Sequence, residues 1–360
     1  MAETPKYMVL VNYIKNKIET NELQYGEKLN SENELSSMFS ISRQTVRQAI
    51  NVLMQEKLVE SRRGSGTYVT FNVRPKREPN MTIGVVTTYV GDYIFPNIIR
   101  GIETVLTENG YSMQIAFTHN KVQNEKRALS SMLEKGVDGL IVEPTQSGLP
   151  NPNIEIYNEI EKQRIPVLFI NSYYPNMKIP HVALDDHRAG FLATEHLIRA
   201  GHKKIGGIFK SDDNQGHLRY AGYQQALLKA GLEICDENVL WYSTEDLADL
   251  SVDTRRILHR MEGCTAVVCY NDEVALEILS LLKAHGIAVP EQISLVSFDN
   301  SNLAAMSEVP LTSVAHPLNL LGETAAANLI GLINDKMFKA TVDFEPRIVE
   351  RASVKNLHSV

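Results

Sequence analysis

Over the first 55 positions apolar residues recur at intervals of three and four, whereas from Met81 onward they gather into short runs separated by amphipathic stretches. Tyr7, Leu10, Val11, Ile14 and Ile18 share one helical face and predict a first helix. Gly26 and the Asn30-Ser31 pair interrupt it. Ser31 with Glu34 is a capping box that opens a short second helix through Leu35, Met38 and Phe39. Ser42 then caps a third helix, with Val46, Ala49, Ile50 and Leu53 on one arc and Arg43, Gln44, Arg47, Gln48 and Asn51 on the other. Leu58-Val59 and Tyr68-Val69 read as two short strands with Gly64-Ser65-Gly66 at the tip between them. Two tightly joined helices, the second with a polar face, followed by a hairpin, predict a winged helix-turn-helix: mainly helical, with a β-hairpin wing.

The texture then changes. FNVRPKREPN, residues 71–80, has two prolines, a basic cluster and no apolar periodicity, and reads as a semi-rigid tether. Beyond it apolar runs alternate with amphipathic helices. TIGVVTT, YSMQIAF, VDGLIVEPT and IPVLFINSYY form one set with their intervening helices. The pattern restarts at HRAGFLATEHLIRAG and continues through KKIGGIFK, the segment around Val239 to Tyr242, TAVVCYND and ISLVSFDNS. Strands this apolar are buried on both faces, so the sets predict an α/β body of two doubly wound, parallel-sheet lobes. The expected organisation is a head over 1–70, a linker over 71–80 and a body over 81–360.

Charge follows the same division. The 360 residues carry a net charge of -7, yet residues 1–77 hold 12 Lys+Arg against 8 acids, leaving 24 against 35 for the rest. A basic head on an acidic body points to a polyanion partner for the head alone. The outer arc of the third helix contains no acid and no large apolar residue, and its guanidinium and amide groups suit guanine and adenine edges in a major groove. Taken by itself that arc is better read as a solvated helix face; the adjoining helix and wing change the reading. Arg62 and Arg63 on the wing are placed to meet phosphates or the minor groove. The Gly-x-Gly between them and the second strand lacks a third glycine and a following helix, so it is no phosphate-binding loop.

In the body, polar chemistry collects after the strands, where ligands of doubly wound sheets bind. Tyr89, Asp92, Tyr93 and Phe95 follow the first strand; Glu143, Asn171, Lys210, Arg219 with its helix, Asn271 and Asp299 follow later ones. Aromatic rings among carboxylates and amides suit a sugar, whose apolar faces stack while its hydroxyls pair. Each residue singly is also explained as a loop-end polar group. No nucleophile-base spacing, phosphate loop or metal-ligand spacing is present, so no catalytic residue, metal or cofactor is expected. Cys235, Cys264 and Cys269 make no disulfide framework and fit a reducing compartment. The N-terminus lacks a signal-peptide pattern and no apolar run spans a bilayer, so a cytoplasmic, nucleoid-associated protein without a membrane partner is expected.

Two resemblances sharpen this. LNSENELSSMFSISRQTVRQAINVLMQEKLVESRRGSGTYV resembles the GntR-type winged-helix head through its S-E-x-E-L, S-R-x-T-V-R and R-x-G-x-G-T-Y-V pieces. That resemblance implies DNA contacts from Arg43, Gln44, Thr45 and Arg47, with Arg62, Arg63 and Gly66 on the wing, Glu32 near a base edge and Lys6 at a phosphate. DGLIVEP, the R-x-A-G-x-x-x-A at Arg219, CYNDEVAL, PEQISLVSFDN and LTSVAHPLNLLG resemble the LacI/GalR-type effector domains, which are periplasmic-binding-protein-like. There the implied ligand contacts fall at Glu143, Asn171, Arg219, Asn271, Asp299 and His316. His316 replaces a frequent glutamine, and Asn300 a frequent aspartate. The head-body pairing, with TTYVGDYIFPNIIRGIE, VEPT, GIFKSDDNQG and CYNDE, is similar to a family of bacterial repressors of arabinose-utilisation genes. It implies operator double-stranded DNA as partner, L-arabinose or a similar sugar as effector, and a homodimer. Another pentose or hexose is the alternative effector.

Overall fold

The computed structural model describes residues 5–19, 22–62, 64–70, 79–89, 91, 93–246 and 254–358. Arg63, Asp92 and most of the linker lie outside the described residues. The chain divides into two compact units, with the boundary between Pro79 and Asn80.

The first unit carries α1 (Lys6–Glu19), α2 (Glu32–Phe39), α3 (Arg43–Gln55), β1 (Val59–Arg62) and β2 (Gly66–Val69). The capping box forms as the sequence indicates: the Glu34 amide donates to Ser31 Oγ at 3.3 Å, and the Ser31 amide to Glu34 Oε2 at 2.7 Å. Ser42 accepts from the Thr45 amide at 3.2 Å and starts α3. Leu10, Val11 and Ile14 of α1 meet Leu35 of α2 and Val46, Ala49 and Leu53 of α3 in one buried cluster, closed by Val59 and Val69 of the antiparallel β1–β2 hairpin. This is a winged helix-turn-helix.

The second unit begins with β3 (Thr82–Thr87), α4 (Phe95–Glu108), β4 (Ser112–Phe117), α5 (Val122–Lys135), β5 (Gly139–Val142), α6 (Ile154–Lys162), β6 (Val167–Asn171) and β7 (His181–Leu184). It continues with α7 (Asp186–Arg199), β8 (Ile205–Lys210), α8 (Asn214–Lys229), β9 (Val239–Tyr242), α9 (Thr254–Arg260), β10 (Ala266–Cys269), α10 (Asp272–Ala284), β11 (Ser294–Asp299), α11 (Asn302–Met306) and β12 (Thr312–Ala315). Then come α12 (Leu318–Asn334), β13 (Val342–Phe344) and β14 (Arg347–Val349). Two six-stranded sheets result, ordered β13-β7-β6-β5-β3-β4 and β14-β12-β11-β10-β8-β9. The first is parallel throughout; in the second only β14 runs antiparallel, beside β12.

The apolar pattern suggested two consecutive sets, and the tertiary structure interleaves them. After β12 the chain returns to the first lobe, where Leu321, Ala325 and Leu329 of α12 pack against Ile83, Ile98 and Ile102. β13 then pairs with β7 of that lobe, and β14 crosses back to β12 of the second. The chain therefore passes between lobes three times, after β7, β12 and β13. Periodicity reports that a segment buries one face but not which sheet will cover it.

Each lobe carries a helix pair in unusually close approach. A Cβ on Gly322 of α12 would lie 2.1 Å from the Ile98 carbonyl oxygen of α4, and one on Gly222 of α8 would lie 2.0 Å from the His187 carbonyl oxygen of α7. Neither backbone oxygen can swing aside, so Gly322→Ala and Gly222→Ala should each destabilise the body by about 1–3 kcal/mol or more through overpacking. Urea unfolding followed by the fluorescence of Trp241, the single tryptophan, checks this. Unchanged midpoints in both variants would contradict the close helix contacts.

Candidate DNA-contacting face and ligand cleft

In the head, burying Val46, Ala49, Ile50 and Leu53 turns Arg43, Gln44, Arg47, Gln48 and Asn51 outward, all exposed. Arg47 is held in place: its Nε lies 3.0 Å from both carboxylate oxygens of Glu32, a half-buried residue on α2. Glu32 thus touches the recognition-type helix through Arg47. Thr45 serves the cap, its amide and hydroxyl both engaged with Ser42. Arg62 is exposed on the wing, donating to Glu60 at 2.7 Å and lying 4.7 Å over the Tyr68 ring. Gly66 has a positive φ of 124°, a conformation that favours glycine, and a Cβ there would also displace the flexible end of the Lys28 side chain. Lys6 is exposed at the first position of α1.

In the body, strand order reverses at β3 and β5 in one lobe and at β8 and β10 in the other. Adjacent strands there send their following helices to opposite faces, which opens a crevice beyond their C-terminal ends. At the first crevice Glu143, 5 % exposed, accepts from the Thr88 amide at 2.7 Å, the Thr88 hydroxyl at 2.6 Å and Asn171 Nδ2 at 2.8 Å. Burial pushes its carboxyl above the ordinary range, and those donors oppose the shift. Asn171 Oδ1 is buried with no hydrogen-bond partner. Tyr89 lies exposed at the rim, while Phe95 packs against the core of its lobe.

The second crevice is built around a buried guanidinium. Arg219, 1 % exposed, donates from Nε to Asp186 at 2.7 Å and from Nη1 to the Tyr270 carbonyl at 2.6 Å. Its Nη2 is 3.8 Å from Asp299 Oδ1, and its Cζ lies over the rings of Tyr270, at 4.9 Å, and Phe298, at 4.5 Å. Burial raises the carboxyls of Asp186, to about 6, and of Asp299, with Arg219 opposing in both. Burial also works to raise Asp213. Lys210, the Tyr270 hydroxyl and Ser147 outweigh it and hold Asp213 below the ordinary range. Lys210 Nζ is 3.9 Å from both Asp212 and Asp213, and Asn271 caps α10 by accepting from the Val274 amide at 2.9 Å. His316 is buried with neither ring nitrogen hydrogen-bonded, and burial, aided by Arg219, pushes its pKa down to about 3.

The structure thus brings Glu143 together with Asn171 in one lobe and Arg219 together with Asp299 in the other, and Tyr93 of the first lobe reaches the second cluster, its hydroxyl donating to Asp299 at 2.6 Å. Asp186, Asp213, Tyr270, Thr88 and Asp272 belong to these clusters and were not singled out in the sequence. Asp213 and Tyr270 stand in polar strand-end runs already noted and were within reach. Asp186 meets Arg219 only across two helices, 33 residues apart in sequence, and carries no local signal. Acids outnumber bases in the cleft, which disfavours anions and suits a neutral, hydroxyl-rich molecule. Among the described residues no cluster of His, Cys, Asp and Glu is arranged to hold a metal, and no helix is long and apolar enough to cross a membrane.

Residues 6–69 match the family model described as bacterial regulatory proteins, gntR family, and residues 194–354 match that of the periplasmic binding protein-like domain. The chain is 39 % identical over 359 residues to an arabinose metabolism transcriptional repressor of Geobacillus stearothermophilus, covering 98 % of each. It is likewise 39 % identical over 367 residues to the protein of that name from Halalkalibacterium halodurans, again covering 98 % of each. The crystal structure of the transcription regulator CcpA of Lactococcus lactis superposes with a TM-score of 0.68 at 30 % identity, over 76 % of this chain and 99 % of that one. These relatives are transcription regulators rather than enzymes.

The suppressed basicity of His316 has a measurable consequence. Its unfolded-state pKa of 6.5 falls to about 3 in the fold, so the folded chain binds fewer protons. The stability it contributes is complete above 6.5 and drains away as pH falls toward 3. Between pH 7 and 5 the parent should lose about 2 kcal/mol that His316→Gln does not lose, with all other titrations common to both. Urea unfolding at the two pH values decides this; an equal loss in both proteins would place the imidazole in water.

Proposed function

The chain belongs to the family of transcriptional repressors that join a gntR-type head to a periplasmic-binding-protein-like body, and from that premise we propose that it silences arabinose-utilisation genes until L-arabinose binds. As a homodimer it grips two operator half-sites, roughly one or more helical turns apart, through α3 and the β1–β2 wing. Arg43, Gln44 and Arg47 address bases or adjacent phosphates, with Glu32 and Thr45 fixing their placement. Arg62, Arg63 and Gly66 form the wing contact, and Lys6 a phosphate contact. The sugar lies between the lobes against Tyr89, Asp92, Phe95, Glu143, Asn171, Lys210, Arg219, Asn271, Asp299 and His316, and its binding releases the operator. The protein works on DNA in the cytoplasm, at the nucleoid.

The observation that carries the effector reading is the set of buried polar atoms without partners, Asn171 Oδ1 and both His316 nitrogens, at facing crevices. Buried polar groups are normally hydrogen-bonded, and a sugar hydroxyl both donates and accepts. A neutral imidazole offers one donor and one acceptor to such hydroxyls. Induction of about a hundredfold requires only ~2.7 kcal/mol of coupling between sugar and operator.

A mobility-shift titration on DNA upstream of the chain's own gene, with a panel of pentoses and hexoses, tests the proposal. L-arabinose should dissociate the complex and the other sugars should not. Release by a hexose alone would reassign the effector while leaving the mechanism in place. Arg43→Ala and Arg47→Ala should each weaken operator binding by about 1–3 kcal/mol without altering sugar affinity. Unchanged operator binding in both variants would remove α3 from the DNA interface.

A further inference from the structure

The phenol of Tyr93 is committed to the opposite lobe. Tyr93 precedes α4 in the first lobe, whereas both partners of its hydroxyl belong to the second. Oη donates to Asp299 Oδ2 at 2.6 Å and accepts from the Asp272 amide at 3.1 Å. A phenol has one proton to give, so no donor is left for a ligand. Tyr93, expected from its sequence position as a sugar contact, thus has its one proton engaged across the lobes before any ligand is present. A second set of bonds crosses between the lobes elsewhere. Ser147 Oγ donates to Asp213 at 2.9 Å and accepts from the Asn214 amide at 3.0 Å, and the Gly148 amide donates to the Asp212 carbonyl at 3.3 Å.

We propose that Tyr93 is a positioning residue, a clasp that holds the two lobes together and thereby sets how readily the body closes on its effector. Deleting the phenolic oxygen strands Asp299 Oδ2 and the Asp272 amide without their partners while the lobes are together. Asp299 is 4 % exposed, so water reaches these groups only when the lobes part. The loss thus falls on the closed arrangement and spares the open one. An effector that binds the closed arrangement is weakened in proportion to the fraction closed. This rests on the two-lobe effector cleft proposed above, but its primary test needs no effector.

Hydrogen exchange of the full-length chain without sugar provides that test, in the parent, in Tyr93→Phe and in Ser147→Ala. The Gly148 and Asn214 amides bond across the lobes and touch neither Tyr93 nor its partners, so their exchange reports lobe separation. Tyr93→Phe should accelerate both on the order of tenfold, the size expected for losing one charge-assisted hydrogen bond. Ser147→Ala should reciprocally accelerate the Asp272 amide. A Tyr93 that merely touched ligand would leave sugar-free exchange at Gly148 and Asn214 unchanged, and that result overturns the clasp. So does acceleration confined to each variant's own bonds. With L-arabinose as probe, the apparent affinity of Tyr93→Phe should fall in proportion to the fraction closed, and hence by less than the exchange accelerates. Accelerated exchange with no arabinose binding in the parent would retain the clasp and reject the effector.

Discussion

The guanidinium of Arg219 has no route to solvent, and much of the body is arranged to make that tolerable. A charge buried at 1 % exposure costs several kcal/mol unless its protons are matched. Asp186 at the start of α7, the Tyr270 carbonyl after β10 and Asp299 at the end of β11 match them, while the guanidinium also lies over the rings of Tyr270 and Phe298. One side chain therefore ties a helix and two strand ends of the second lobe to α8. Arg219 in turn opposes the upward push of burial on the carboxyls of Asp186 and Asp299, so the wall of the cleft is polar and closely tied at once.

Around that wall the architecture is repeated. Both lobes share the strand order that opens a crevice between their first and third strands, and both pack a helix pair at glycine. Because the chain crosses between them three times, neither lobe is a contiguous segment. Relative motion must then be absorbed in the short passages after β7, β12 and β13, while the sheets remain intact. Cross-lobe bonds from Tyr93 and Ser147 act on that motion directly, since they exist only while the lobes meet.

The head solves a smaller problem with similar means. A cluster of about a dozen apolar side chains leaves one face of α3 free, and that face is polar because nothing in the head covers it. Glu32 restrains Arg47 there, which on the proposed DNA-binding role of this face reduces the entropy a long side chain loses on binding. Exposed guanidinium and amide groups on a convex helix, and enclosed polar groups in a concave cleft, are opposite devices for opposite partners.

Helix faces, caps and strand identity were legible in the sequence because they depend on neighbours within a turn or a few residues. Ser31 with Glu34, Ser42 at the start of α3 and the apolar runs at β3, β5, β8 and β10 are cases of this. Glu143, Asn171 and Asp299 were recognisable as site candidates because polar residues recur at the ends of buried strands, and Arg219, within α8, because its motif resembles that of the effector-domain family. The tertiary structure alone decided that α12 and β13 belong to the first lobe, since burial of one face does not specify its cover. It alone paired Asp186 with Arg219 and turned the Tyr93 hydroxyl toward Asp299, 206 residues away. Such partners are chosen by where charge must be neutralised in three dimensions, and sequence spacing holds no record of that.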